Sequence, residues 1–125
     1  MYYPHSYTFF VSLLRTKPQA YCRLRGDEAH PHIQGEVLFY QTKYGLFTVV
    51  DIAGLSVQKG GEDIFLLTLF PCSAGENCSA NLSSAGGRAF SAFLTDRFCR
   101  KDIVNHTILL KDASGLLAQG SVMEN

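Results

Sequence analysis

The chain has 125 residues, 46% of them hydrophobic and 12% aromatic, and its 11 basic and 11 acidic side chains cancel to a formal charge of zero. One domain of this size buries about two thirds of the surface its unfolded form exposes and needs neither metal nor disulfide to support a core. Neutrality without any basic run excludes the electrostatic footprint for nucleic acid or an anionic membrane.

No stretch has the roughly 18 apolar residues of a membrane helix. Met1 to Ser12 carries no Lys or Arg ahead of Phe9-Phe10-Val11, so no signal peptide is expected. The chain is read as a single domain over 1–125 in the cytoplasm, with an N-terminal extension over about 1–19. In that compartment Cys22, Cys72, Cys78 and Cys99 are expected as free thiols, and the sequons at Asn77, Asn81 and Asn105 as chance. Cys72 and Cys78 are nonetheless close enough in sequence for a disulfide or for half of a zinc site.

Phe9 to Leu14 repeats apolar residues at three- and four-residue spacing, which predicts one or two helical turns ending before Pro18. Everything after that reads as strand. Ala20 to Gly26 alternates Cys22 and Leu24 against Tyr21, Arg23 and Arg25, the period-two pattern of a sheet with one wet face. Ile33 to Thr42 sets Val37 and Phe39 against Glu36, Leu38 and Tyr40. A hairpin turn at Lys43-Tyr44-Gly45 leads into Leu46 to Leu55. Ser56 to Asp63 is a loop and Ile64 to Phe70 a strand. Pro71 to Arg88, rich in Ser, Gly, Ala and Asn, reads as a functional loop or the remnant of one, with Gly86-Gly87 as a turn. Ala89 to Asp96 and Thr107 to Lys111 are further strands, and Leu116 to Val122 is a weak last one broken by Gly120. Short strands without a long helix predict an all-β antiparallel sandwich or barrel.

Few residues offer chemistry. His30 and His32, at i and i+2, point to one side of an extended strand, but two imidazoles make no metal site, and Pro31 favours a turn. His5 and His106 have no companions. No serine sits in a nucleophile elbow. Cys22 and Cys99 have strand or strand-end settings rather than the helix N-terminus that lowers a thiol pKa. Asp96-Arg97 suits a local ion pair.

Several segments resemble the copper/zinc superoxide dismutases of anaerobic Firmicutes over about residues 10 to 112. They are Leu13-Leu14-Arg15, Lys17 to Ala20, Gly35-Glu36-Val37, Phe39 to Thr42 and above all Ala89-Phe90-Ser91-Ala92-Phe93-Leu94-Thr95-Asp96-Arg97-Phe98. The resemblance implies a Greek-key β-sandwich or flattened barrel and, in that family, catalysis by a copper held by four histidines beside a zinc. Two of those histidines belong to a Phe-His-x-His stretch that corresponds to Leu67-Thr68-Leu69-Phe70, which places Thr68 and Phe70 at copper positions. The last ends an apolar strand that corresponds to Ile108-Leu109-Leu110-Lys111, which places Lys111 at a third. The ligand-bearing loop that should follow Cys78 is missing over the shortened 71–88 segment, and the C-terminal strand with the partner of Cys78 is not recognisable.

The expectation is therefore a metal-free, catalytically inactive scaffold or protein-binding module with no catalytic residue and no cofactor. A site rebuilt from His30, His32 and a cysteine is the alternative, and a decayed gene product a further one. Association is expected through the bared metal face or the edge left by a missing C-terminal strand, as a homodimer or with an unknown protein partner.

Overall fold

A computed structural model describes residues 17–56, 64–72 and 78–125; the predicted helical turns over Phe9 to Leu14 lie outside them. The described chain is all-β. Its strands are β1 (Ala20–Gly26), β2 (Gln34–Thr42), β3 (Gly45–Ala53), β4 (Ile64–Phe70), β5 (Ser79–Ser83), β6 (Ala89–Thr95), β7 (Thr107–Asp112) and β8 (Gly115–Glu124), with one helical turn, α1 (Arg100–Ile103), between β6 and β7. All pairings are antiparallel, in the order β5-β4-β7-β8-β1-β2-β3-β6, so the sheet curls into a nearly closed barrel. No helix among the described residues is long and apolar enough to cross a membrane.

Alternation of side chains fills the interior. Cys22 and Leu24 of β1, Val37 and Phe39 of β2, Leu67 and Leu69 of β4, and Ile108 and Leu110 of β7 all turn inward and are buried in one cluster. Phe93 of β6 packs against it. The outward face is not uniformly wet. Tyr40, Phe47 and Val49 form a second buried cluster with Leu38, on the side of β2 and β3 opposite Phe39 and Val50. Leu38 and Tyr40 thus belong to an apolar outer patch rather than to the polar face that alternation predicts.

The hairpin at Lys43-Tyr44 forms as expected: Thr42 pairs with Gly45, and the Thr42 hydroxyl donates to Gly45 O at 2.7 Å and accepts from Tyr44 N–H at 3.1 Å. Gly86 and Gly87 both take positive φ, 61° and 81°, in a two-residue turn closed by Ala85 and Arg88. The segment between Pro71 and Arg88 is not loop throughout, because β5 pairs with β4 from Thr68↔Ser79 to Ile64↔Ser83. β5 is a short edge strand in which Leu82 alone is buried, so its small polar residues give little strand signal.

The C-terminal strand is present. β8 pairs with β7 on one side and β1 on the other, so the edge expected from its loss does not exist. A β-bulge lies in this strand: Leu110 pairs with Ala118 but Lys111 with Leu116, which leaves Leu117 extra and turns both Leu117 and Ala118 inward. Gly120 belongs to the strand for a steric reason. A Cβ there would lie 2.0 Å from Arg23 O and 2.9 Å from Cys22 Sγ, so only glycine lets β8 approach β1 this closely.

Replacing buried Leu69 with alanine is expected to cost about 2–5 kcal/mol of stability, whereas Thr68→Ala on the opposite face costs far less. Urea unfolding of the two variants checks this, and equal midpoints would contradict the assignment of faces.

Candidate functional site

The three residues that the sequence resemblance sets at copper positions share one surface. Thr68 and Phe70 are two apart on β4 and point outward, away from buried Leu67 and Leu69. Lys111 lies opposite Leu66 on β7, on the same outer face. The Thr68 hydroxyl shares a hydrogen bond with Ser79 Oγ at 3.0 Å. A hydroxyl, a phenyl ring and an ammonium provide no imidazole nitrogen, and the ammonium repels a cupric ion. Apolar surface surrounds them: Ile64 is 53% exposed, Leu66 36% and Phe70 59%, with Leu109 half-buried.

His30 sits in a turn over Asp27 to Ile33. Its Nδ1 is 2.7 Å from Asp27 Oδ1, which also accepts the Ala29 N–H at 3.0 Å. The hydrogen bond from His30 is the chief reason that the Asp27 carboxyl is held below its ordinary pKa. His32 is exposed. Among the described residues, no three His, Cys, Asp or Glu side chains gather closely enough to hold a metal. His5 lies outside the described residues, and His106 Nδ1 faces Val104 O at 3.3 Å.

The cysteines divide into a pair and two single thiols. Cys72 and Cys78 form a disulfide with Cα atoms 6.3 Å apart, which corrects the expectation of four free thiols. The cause is the sheet itself. Thr68 and Ser79 are paired across β4 and β5, so both cysteines lie near the end of one ladder, six residues apart in the chain. A bridged pair belongs to oxidising compartments, so the free-thiol argument for a cytoplasmic location no longer applies. Cys22 is buried, and burial pushes its thiol pKa up to about 12 against a smaller opposing effect of a backbone hydrogen bond with Ile108.

Cys99 corrects the strand-end reading. It is the N-cap of α1, where its N–H and its Sγ–H both donate to Asp102 Oδ2, at 2.9 and 3.2 Å, and these bonds lower the Asp102 pKa. Asp96 and Arg97 form no ion pair among the described residues, and the Arg97 N–H donates instead to Thr95 Oγ1 at 3.2 Å. The exposed charge pair that does form is Asp51 with Arg88, two parallel bonds at 3.0 and 2.8 Å that keep the Asp51 carboxyl below its ordinary pKa.

One cavity lies at the seam between β5 and β6. Where β5 and β6 splay apart beyond their connecting turn, a cavity of about 390 Å³ runs inward between Ser79 and Thr95, with Phe39, Leu69, Phe93 and Ile103 among its walls. Sequence reasoning missed this feature because its walls come from strands far apart in the chain. The one clue was the polar Thr48 amid the apolar run of β3, and Thr48 does line the cavity.

No protein-family model matches the chain, and no curated protein matches it. Neither comparison supports the resemblance to the copper/zinc superoxide dismutases.

Thiol chemistry separates the two free cysteines. Native protein at pH 8 is expected to react with a maleimide at partly exposed Cys99 and not at Cys22, with Cys22 becoming reactive only in denaturant. Mass spectrometry of the labelled peptides reads the outcome; rapid native labelling of Cys22 would contradict its burial.

Proposed function

We propose that the chain is a metal-free, catalytically inactive relative of the copper/zinc superoxide dismutases that acts by protein association, with a second copy of itself as partner. The observation that carries this reading is the common outer face of Thr68, Phe70 and Lys111, which combines unsuitable ligands with exposed apolar side chains. The strand order supports the kinship. β7 lies beside β4 and β4 beside β5, an order that a Greek key shares, while β6 follows β5 in the chain without pairing to it.

A working dismutase would need three or four protein ligands on one copper. The alternative built on His30 and His32 gains no support from the geometry, since Asp27 engages His30 in a local turn and one free cysteine is buried in the barrel while the other caps α1. Association through the outer face of β4 and β7 follows from its composition. An apolar surface of this kind is an interaction surface or an aggregation hazard. A chain of zero formal charge has no net repulsion from its copy.

Two measurements test the reading. Untagged protein is expected to hold no stoichiometric copper or zinc and not to dismute superoxide; one tightly held equivalent of copper with superoxide-dependent turnover would overturn the metal-free assignment. Sedimentation velocity at micromolar concentration is expected to show a dimer that Leu66→Glu converts to monomer. A wild-type monomer that does not change with concentration, or a dimer indifferent to the substitution, would overturn association through this face.

A further inference from the structure

We propose that the cavity between β5 and β6 is a binding site for a small aromatic molecule of one or two rings that carries a single hydroxyl or carbonyl. The site borders the association surface at Thr68 and Ser79, which line it, but its argument rests on the interior and neither proposal depends on the other. Its volume, about 390 Å³, falls within the roughly 300–1,000 Å³ of small-molecule sites. Its deep walls are core residues: Phe39, Leu69, Ile103 and Ile108 are all buried.

The cross-strand register sets the character of the ligand. Thr48 on β3 lies directly between Phe39 on β2 and Phe93 on β6, all three pointing inward, so a hydroxyl is flanked by two phenyl rings. Thr48 is 4% exposed, the one buried polar side chain among the described residues with defined burial, and it lines this cavity. Rings prefer offset or edge contacts with other rings, and a threonine hydroxyl both donates and accepts. An apolar ring with one polar atom answers both features; Asp96 and Arg97 also line the cavity, but a charge placed among buried Phe39, Leu69 and Ile108 would lose its hydration.

The geometry of the gap favours a small molecule over an inserted strand. β5 and β6 are held together at one end by the Gly86-Gly87 turn, where Ala85 and Arg88 exchange backbone hydrogen bonds at 2.8 and 3.1 Å. The turn is itself pinned to the barrel. Leu55 N–H donates to Gly87 O at 2.9 Å, and Arg88 clamps Asp51 of β3. The opening is therefore a wedge that closes at its turn end, and a third strand, needing about 4.8 Å on each side, has no room along its whole length.

The test uses the full chain with 2-naphthol and naphthalene as probes, followed by amide chemical-shift mapping and titration. Saturable binding is expected to move the amides of residues 78–80 and 93–98. Thr48→Val, which keeps shape and removes the hydroxyl, is expected to weaken 2-naphthol about two- to tenfold while leaving naphthalene unchanged. Ala80→Trp, on the inward face of β5 opposite buried Leu67 and lining the cavity, is expected to abolish binding of both. Absence of saturable binding, shifts confined to other faces, or affinities unmoved by both substitutions would overturn the proposal.

Discussion

The fold depends on the dual pairing of β8. This strand alone joins the ladder β5-β4-β7 to the ladder β1-β2-β3-β6, and without it the chain would present two separate sheets with exposed edges. Its position is set by backbone contact. Gly120 lets β8 lie against Arg23 and Cys22, and the bulge at Leu117 adds inward apolar surface where the strand bends. Leu110, Val122 and Cys22 are then fully enclosed at the join between the two ladders.

Closure on that side leaves the seam between β5 and β6 without a ladder, and this asymmetry places the cavity. β5 and β6 follow one another in sequence but share only a turn, so the barrel ends in a wedge rather than a ladder. α1 sends Ile103 into the interior next to the wedge, and the N–H of Arg100 donates to Gln41 Oε1 at 2.8 Å, which fixes the helical turn to β2. The cavity is thus the space enclosed by six strands, β2 to β7, and by Ile103 of α1, at the seam where no ladder joins β5 to β6. The outer face of β4 and β7 lies on the other side of the same wall, with inward Leu67 and Leu69 separating it from the interior.

Strands whose large apolar residues alternate cleanly were legible in the sequence. Ala20 to Gly26 and Ile64 to Phe70 form with the same bounds, because Cys22, Leu24, Leu67 and Leu69 mark one face unmistakably. β5 was missed because Ser79 to Ser83 offers one large apolar side chain, and β8 read as weak because the bulge puts Leu117 and Ala118 on one face and so breaks the period. The outer cluster of Tyr40, Phe47 and Val49 escaped for a related reason: alternation assigns faces but does not say which face is covered. At the candidate site the residue identities and their common face were readable, since Thr68, Phe70 and Lys111 occupy alternate positions of apolar strands. The disulfide was readable only as a possibility, from the six-residue spacing of Cys72 and Cys78, and the cavity was not readable, as it arises from strands brought together by the sheet.

Period-two alternation also explains how such a surface can change its chemistry without changing the fold. Leu67, Leu69, Ile108 and Leu110 hold β4 and β7 in the core, and each is fixed by packing. Burying a side chain of this kind contributes about 1.5–3 kcal/mol. Thr68, Phe70 and Lys111 face the other way, and none of them belongs to the core. Substitution at these outward positions leaves the inward set untouched, so selection on chemistry and selection on stability act on alternate residues of the same two strands. The constraint that remains on the outer face is a limit on apolar exposure, and Ile64, Leu66 and Phe70 together press against it. A surface that exposes Ile64, Leu66 and Phe70 together is an interaction surface or an aggregation hazard.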